Sequence, residues 1–161
     1  MESFKNFTAL LITMIIVIGL STQSFSQTET VCSMNEVPAG WVITNVENCI
    51  CCGATYNFAT RWTIQNTAGL RAGAILTVCS INNLPEGWVI TDIESCICCG
   101  ASYGFGTRWT ITKITGMTPG AMVSVCSMEN VPSGWVIVDQ EQCICCGASS
   151  GFSTRWTIKK L

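Results

Sequence analysis

Histidine is absent from this chain of 161 residues, and only 11% of the residues are charged. Without imidazole, the chain lacks the commonest general base and a common nitrogen ligand for metals. Eight Lys and Arg against ten Asp and Glu give a net charge of −2, so there is no basic patch of the kind that neutralises nucleic-acid phosphates. We therefore expect no nucleic-acid partner and no histidine-dependent chemistry.

Paired carboxylates are also scarce. A single Glu recurs along the chain at Glu47, Glu94 and Glu141, and Asp92 and Asp139 accompany two of these. Serine and threonine are common, but no residue type that could serve as their base recurs beside them. We therefore expect a protein that is not an enzyme, with no catalytic residue and no cofactor.

Long apolar runs are missing except at the N-terminus. Residues 9–20 are apolar apart from one Thr and one Gly, Lys5 precedes them, and Ser24-Phe25-Ser26 fits a small-x-small cleavage site. A membrane anchor is the alternative, but a span needs about 20 apolar residues. We predict that residues 1–26 are a signal peptide and that the mature chain is secreted, in the periplasm or at the cell exterior, with no membrane span after cleavage.

What the chain does have is an exact repeat length. Val-Cys-Ser, Gly-Trp-Val-Ile, Cys-Ile-Cys-Cys-Gly-Ala and Thr-Arg-Trp-Thr-Ile each occur three times, 47 residues apart and without gaps. This predicts three modules, at 27–66, 78–113 and 125–161, joined by linkers at 67–77 and 114–124.

Cysteine is abundant, with 12 residues or four in each module. A core of about 35 residues cannot bury enough apolar surface to fold unaided, and domains below about 40 residues usually need disulfides, metal or association. The four cysteines supply that stabilisation, and disulfides form in an oxidising compartment.

Within a module the cysteines follow the spacing C-x16-C-x-C-C. Adjacent cysteines would make a strained bridge and an i,i+2 bridge is rare, which leaves one preferred pairing. It joins Cys32 to Cys51 and Cys49 to Cys52, and by the repeat Cys79 to Cys98, Cys96 to Cys99, Cys126 to Cys145 and Cys143 to Cys146. Alternatively, four thiolates could hold Zn²⁺ or Cu⁺, although we expect no metal. A redox role for the C-x2-C spacing is disfavoured, because redox motifs of this type stand before a helix and the sequence shows no helical pattern here.

The local pattern predicts an all-β fold. Each module has strand-like segments around Val31, from Trp41 to Val46 and from Thr60 to Ile64, and we expect them to form a short antiparallel sheet. Before the second and third modules stand the apolar pairs Ile75-Leu76 and Met122-Val123, where the first module has Thr28-Glu29. These pairs predict packing on the preceding module and hence a rod. A closed threefold β fold is the alternative.

The candidate ligand-binding residues are an arginine and a phenylalanine in each module. The arginines stand on the last predicted strand, where they could clasp a ligand or simply face solvent. The phenylalanines stand in a Gly-rich loop, where they could stack on a sugar ring or fill the core. The six tryptophans are expected to fill the small cores. The candidates are Arg61, Phe58, Arg108, Phe105, Arg155 and Phe152.

Together these patterns predict a secreted, non-enzymatic, cysteine-rich repeat protein that acts as an extracellular binding or structural module. Three copies of one module would suit a ligand that is itself repeated, such as a carbohydrate polymer or a cell surface. The alternative is a protein that sequesters Zn²⁺ or Cu⁺ with thiolates. A membrane-active toxin is disfavoured because such peptides are usually cationic.

Overall fold

The computed structural model describes residues 27–32, 37–50, 52, 59–79, 84–96, 98–99, 106–127, 130–147 and 153–161. These residues form nine strands in three antiparallel sheets, which confirms the predicted all-β fold of three small disulfide-rich modules. Within the described part of the chain, no helix is long and apolar enough to cross a membrane.

Each module contributes one three-stranded sheet in which the last strand lies in the middle. The first sheet has the order β1-β3-β2, the second β4-β6-β5 and the third β7-β9-β8. The strands are β1 (Thr28–Cys32), β2 (Trp41–Cys49), β3 (Ala59–Asn66), β4 (Ile75–Cys79), β5 (Trp88–Cys96), β6 (Gly106–Lys113), β7 (Met122–Cys126), β8 (Trp135–Cys143) and β9 (Ser153–Lys160).

The second strand of each module begins after a tight turn. Trp41 N donates a hydrogen bond to Pro38 O at 3.1 Å, and Gly40 has a φ of 79°. A positive φ at the third turn position defines a type II turn and favours glycine. The same turn precedes β5 and β8, so the Pro-x-Gly-Trp motif sets the start of the strand in all three modules.

A β-bulge interrupts the second strand of each module. In β2 the register against β3 shifts between Ile43 and Asn45, and the Thr44 hydroxyl donates to Thr63 O at 3.2 Å. Thr91 makes the equivalent bond in the second module, whereas the third module has Val138 at this position. The bulge bends the strand and sharpens its twist.

The core of each module is built around an isoleucine of the central strand. Ile64, Ile111 and Ile158 are each 1% exposed or less, and the register pairs them with Ile43, Ile90 and Ile137. The tryptophans lie in or against the same clusters, with Trp88 and Trp135 buried and Trp41, Trp62, Trp109 and Trp156 partly buried. This placement agrees with their predicted role in the core.

Consecutive modules pack against each other in an open array. Strand β2 contacts β4 and β5 contacts β7, whereas no contact joins β1 to β8 within the described ranges. A closed threefold fold would bring those two strands together, so the structure favours the rod. Leu76 and Val123 pack on the clusters that contain Val42 and Val89 of the preceding modules.

In each apolar pair before the second and third modules, only one of the two residues packs on the preceding module as predicted. Leu76 and Val123 are partly buried, but Ile75 and Met122 are 65% and 60% exposed. The physical reason is the pleat of the strand, because successive side chains point to opposite faces and only one member of each pair faces the core. β4 and β7 begin at these residues, within the segments 67–77 and 114–124.

Candidate functional site

The cysteine pairing differs from the one preferred on sequence grounds. The first cysteine of each module bonds to the last, as Cys32–Cys52, Cys79–Cys99 and Cys126–Cys146, with Cα–Cα distances of 5.5 to 5.7 Å. In the second and third modules the remaining bridges are Cys96–Cys98 and Cys143–Cys145. The predicted Cys79–Cys98, Cys96–Cys99, Cys126–Cys145 and Cys143–Cys146 bridges are therefore wrong.

The first module differs from its prediction in the same way. Cys52, and not Cys51, is bonded to Cys32, so the predicted Cys32–Cys51 and Cys49–Cys52 bridges are also wrong. The Cys49 and Cys52 sulfurs are 3.6 Å apart, too far for a disulfide between them, and Cys51 lies outside the described residues. No free cysteine occurs among the cysteines that the structure describes.

The cause of the difference is the turn that follows the second strand. Cys96 and Cys98 have Cα atoms 5.1 Å apart, within the range that a disulfide needs, so the i,i+2 ring is sterically accessible here. Cys99 and Cys146 adopt left-handed backbone conformations with φ of 60° and 62°. This geometry, uncommon for a residue other than glycine, accompanies their bonds to the first strand.

The long bridges of the second and third modules also belong to the contacts between modules. Cys79 lies in the apolar cluster with Ile43, and Cys126 and Cys146 lie in the cluster with Ile90 and Ile93. Each of these disulfides therefore packs on the core of the preceding module. The cysteines act as structural groups whose sulfur fills an apolar contact.

Polar residues form a polar face on part of the side of each sheet opposite the isoleucine core. In the first module the register places Thr30, Thr63 and Asn45 side by side, and the pleat directs them away from Val31, Trp62 and Ile64. The second and third modules carry Thr77, Thr110 and Asp92, and Ser124, Thr157 and Asp139, at these positions. We call these nine residues, six with a hydroxyl and three with an amide or a carboxylate, the hydroxyl row.

A second row of the polar face consists of three arginine–glutamate pairs. Glu47 pairs with Arg61 at 2.9 Å, Glu94 with Arg108 at 2.7 Å and Glu141 with Arg155 at 3.8 Å. Each pair joins directly opposite residues of neighbouring strands, an arrangement that stabilises a sheet modestly. We call these six residues the ion-pair row.

The charges in the ion-pair row influence each other most clearly in the second module. The hydrogen bond from Arg108 holds the pKa of Glu94 below its ordinary value, and Glu94 in turn raises the pKa of Arg108. The Arg155 pair is longer, and Arg155 Nε is buried without a hydrogen-bond partner in the described structure. The three arginines are nevertheless 30% to 40% exposed, so solvent reaches each pair.

The structure therefore places the predicted arginines at equivalent positions of the polar face, on the central strands. The predicted phenylalanines, Phe58, Phe105 and Phe152, lie outside the described residues. The glutamate partners and the hydroxyl row were not predicted from the sequence, although the two-residue period of a strand places the Arg and the second Thr of Thr-Arg-Trp-Thr-Ile on one face. The missing information was the register, which brings Glu47 opposite Arg61.

A cysteine cluster is the other candidate site. In the second module the sulfurs of Cys96, Cys98 and Cys99 lie within 4.8 Å of one another, as do those of Cys143, Cys145 and Cys146 in the third. Three reduced thiols at this spacing could approach one metal ion. In the structure these sulfurs are bonded to other cysteines, and disulfide sulfur is not a thiolate ligand.

Comparison of the chain with protein-family models, with curated proteins and with solved structures gave no match. The candidate site therefore rests on its own geometry.

Proposed function

We propose that the protein is secreted, is not an enzyme, and acts as an extracellular binding array whose ligand surface is the polar face. The observation that supports this proposal is the threefold repetition of the ion-pair and hydroxyl rows at equivalent positions of three sheets. Numerous disulfides are typical of proteins in oxidising compartments, and the predicted signal peptide agrees with export.

The chemistry of the polar face favours a neutral, hydroxyl-rich ligand. Arg61 is paired with Glu47, and the other two arginines are paired in the same way, so the ion-pair row carries no net charge to attract an anion. Hydroxyl, carboxylate and guanidinium groups offer both donors and acceptors. A polysaccharide presents such partners at regular intervals, and three linked modules would convert weak single contacts into avidity.

The experiment measures depletion of the purified chain from solution by insoluble cellulose, chitin and peptidoglycan. Alanine replaces Arg61, Arg108 and Arg155 singly, in pairs and together. We expect the bound fraction to fall more steeply than in proportion to the number of altered modules, because avidity multiplies the single-module affinities. Arg71→Ala is the control, since Arg71 is exposed and lies in a connecting turn, outside the sheets.

Equal binding by the triple variant and the unaltered chain would contradict the assignment of the ligand to this face. Absence of binding to all three polymers would contradict a carbohydrate ligand.

A second function, thiolate binding of Zn²⁺ or Cu⁺, rests on the close spacing of the sulfurs in the cysteine clusters and requires their disulfides to be reduced. The intact mass of the exported chain distinguishes the two. Full oxidation of twelve cysteines removes twelve hydrogens, whereas free thiols with retained metal would support sequestration.

A further inference from the structure

Each junction inside the array brings together two different surfaces. The preceding module contributes the start of its second strand, where Val42 and Ile43 are both buried, and the following module contributes its first strand. Val42 lies in one cluster with Val78, and Ile43 in another with Cys79. A small apolar pocket lined by these four residues together with Leu84, Pro85 and Trp109 marks the first junction.

The second junction has the same construction. Val89 lies in the cluster of Val125 and Trp135, and Ile90 lies in the cluster of Cys126. The interface between modules is thus heterologous, because the second strand of one module meets the first strand of the next. A heterologous contact leaves one unused surface at each end of an array.

At one end of the described array, the unused surface is the start of β8. Val136, Ile137 and Val138 are 37%, 42% and 47% exposed. Val89 and Ile90, the counterparts of Val136 and Ile137, are 2% and 1% exposed. Val136 and Ile137 are the same residue types as Val89 and Ile90. The third module therefore presents the same apolar surface, but no following module packs on it among the described residues.

At the other end, β1 presents the complementary surface. Val31 and Cys32 are partly exposed, whereas Val78 and Cys79 in the second module are buried. The residues that line the first junction have counterparts of the same kind here, namely Val31, Cys32, Val37, Pro38 and Trp62.

Two positions near the ends of the array carry charged residues of opposite sign where the other modules have uncharged ones. Glu29 stands where Leu76 and Val123 pack toward the preceding module. Lys159 lies opposite Val136, where the earlier modules have Gln65 and Thr112. Both are exposed, and together they add charge complementarity to the two ends. Gln140 replaces Val46 and Ile93, which reduces the apolar area of the β8 surface.

We propose that the β8 surface of one copy binds the β1 surface of a second copy, so that chains join head to tail and continue the array. The proposal rests on continuity with two established junctions and on the opposite charges of Glu29 and Lys159. It is independent of the ligand assigned to the polar face. Since the contact does not close on itself, it generates linear oligomers.

The test is sedimentation velocity of the purified chain from micromolar to millimolar concentration. We expect reversible association that passes beyond the dimer as concentration rises. Val136→Lys places an unpaired charge in the contact and should weaken association more than about tenfold. Ile75→Lys is the matched control, because Ile75 is 65% exposed in the middle of the array and should leave association unchanged.

A charge exchange tests which surfaces meet. Glu29→Lys and Lys159→Glu should each weaken association about threefold or more, and the double variant should restore it. Glu29→Leu places at the chain end the residue found at the first internal junction, and it should strengthen association. A monomer at every concentration would overturn the proposal. Association that stops at the dimer and is unchanged by substitution of Glu29 would also overturn it, because two β8 surfaces would then be binding each other.

Discussion

Ile90 and Ile137 occupy equivalent positions in consecutive modules, yet Ile90 is 1% exposed and Ile137 is 42% exposed. Each lies opposite a buried isoleucine of the central strand, Ile111 or Ile158. The difference arises from the neighbour, because the third module covers Ile90 and none of the described residues covers Ile137 in the same way. At this position, burial therefore depends on the module that follows.

The first prediction concerns these two residues. Ile90→Ala should destabilise the protein by about 2–5 kcal/mol, because it leaves a cavity in a packed core. Ile137→Ala should cost at most about 1 kcal/mol, because solvent already reaches the side chain. Urea unfolding followed by tryptophan fluorescence measures both. Equal losses would show that the module junction does not bury Ile90 in solution.

The second prediction concerns access to the disulfides. Cys79 and Cys126 are 2% and 1% exposed beneath the preceding modules, whereas Cys32 is partly exposed. Reduction requires a thiolate to reach the bridge, so Cys32–Cys52 should be reduced before Cys79–Cys99 and Cys126–Cys146. Limited reduction, alkylation and peptide mass spectrometry give the order. Earlier reduction of Cys126–Cys146 would contradict the packing at the second junction.

The third prediction concerns a close contact between modules. A Cβ on Gly147 would lie 2.6 Å from Cγ2 of Ile93, and Gly147 has a φ of 74°. Gly147→Ala should therefore combine backbone strain with overpacking and cost about 2–4 kcal/mol.

Gly120→Ala is the control for that substitution. Gly120 has a φ of 86° but no atom within 4 Å of an added Cβ, so only the backbone strain of about 1–2 kcal/mol applies. Thermal unfolding compares the two variants. A Gly147→Ala variant as stable as Gly120→Ala would show that the two modules do not approach this closely.

The fourth prediction concerns pH. The pKa of Glu94 is lowered in the folded protein by Arg108, so the pair stabilises the fold above the ordinary carboxyl pKa. That contribution is lost as pH falls through the lowered pKa. Glu94→Gln should therefore reduce the thermal midpoint slightly at neutral pH and leave it unchanged in strong acid.

Glu86→Gln provides the comparison, because Glu86 is exposed and has no ion pair among the residues that the structure describes. Added salt should shrink the difference between the two variants at neutral pH, since the pair is exposed to solvent. A difference that persists in strong acid would mean that Glu94 acts through packing and not through its charge.

Much of the local structure could be predicted from the sequence. β-branched and aromatic residues favour strands, and β1, β2 and β3 cover the three predicted segments. The two-residue period of a strand places Trp62 and Ile64 on one face and Arg61 and Thr63 on the other. The partner of Arg61 could not be predicted in this way, since Glu47 lies on another strand and pairing depends on register.

The repeat, the β character and the four-cysteine composition of each module were thus determined by the sequence alone, because they depend on spacing and on local preference. The disulfide pairing, the arginine–glutamate pairs and the burial of Ile90 were decided by the tertiary structure. The disulfide pairing depends on how the chain turns after the second strand, the arginine–glutamate pairs on the register between strands, and the burial of Ile90 on the module that lies alongside. The isoleucines at 90 and 137 end the same Gly-Trp-Val-Ile motif, yet they differ in burial because burial is a property of the assembled array.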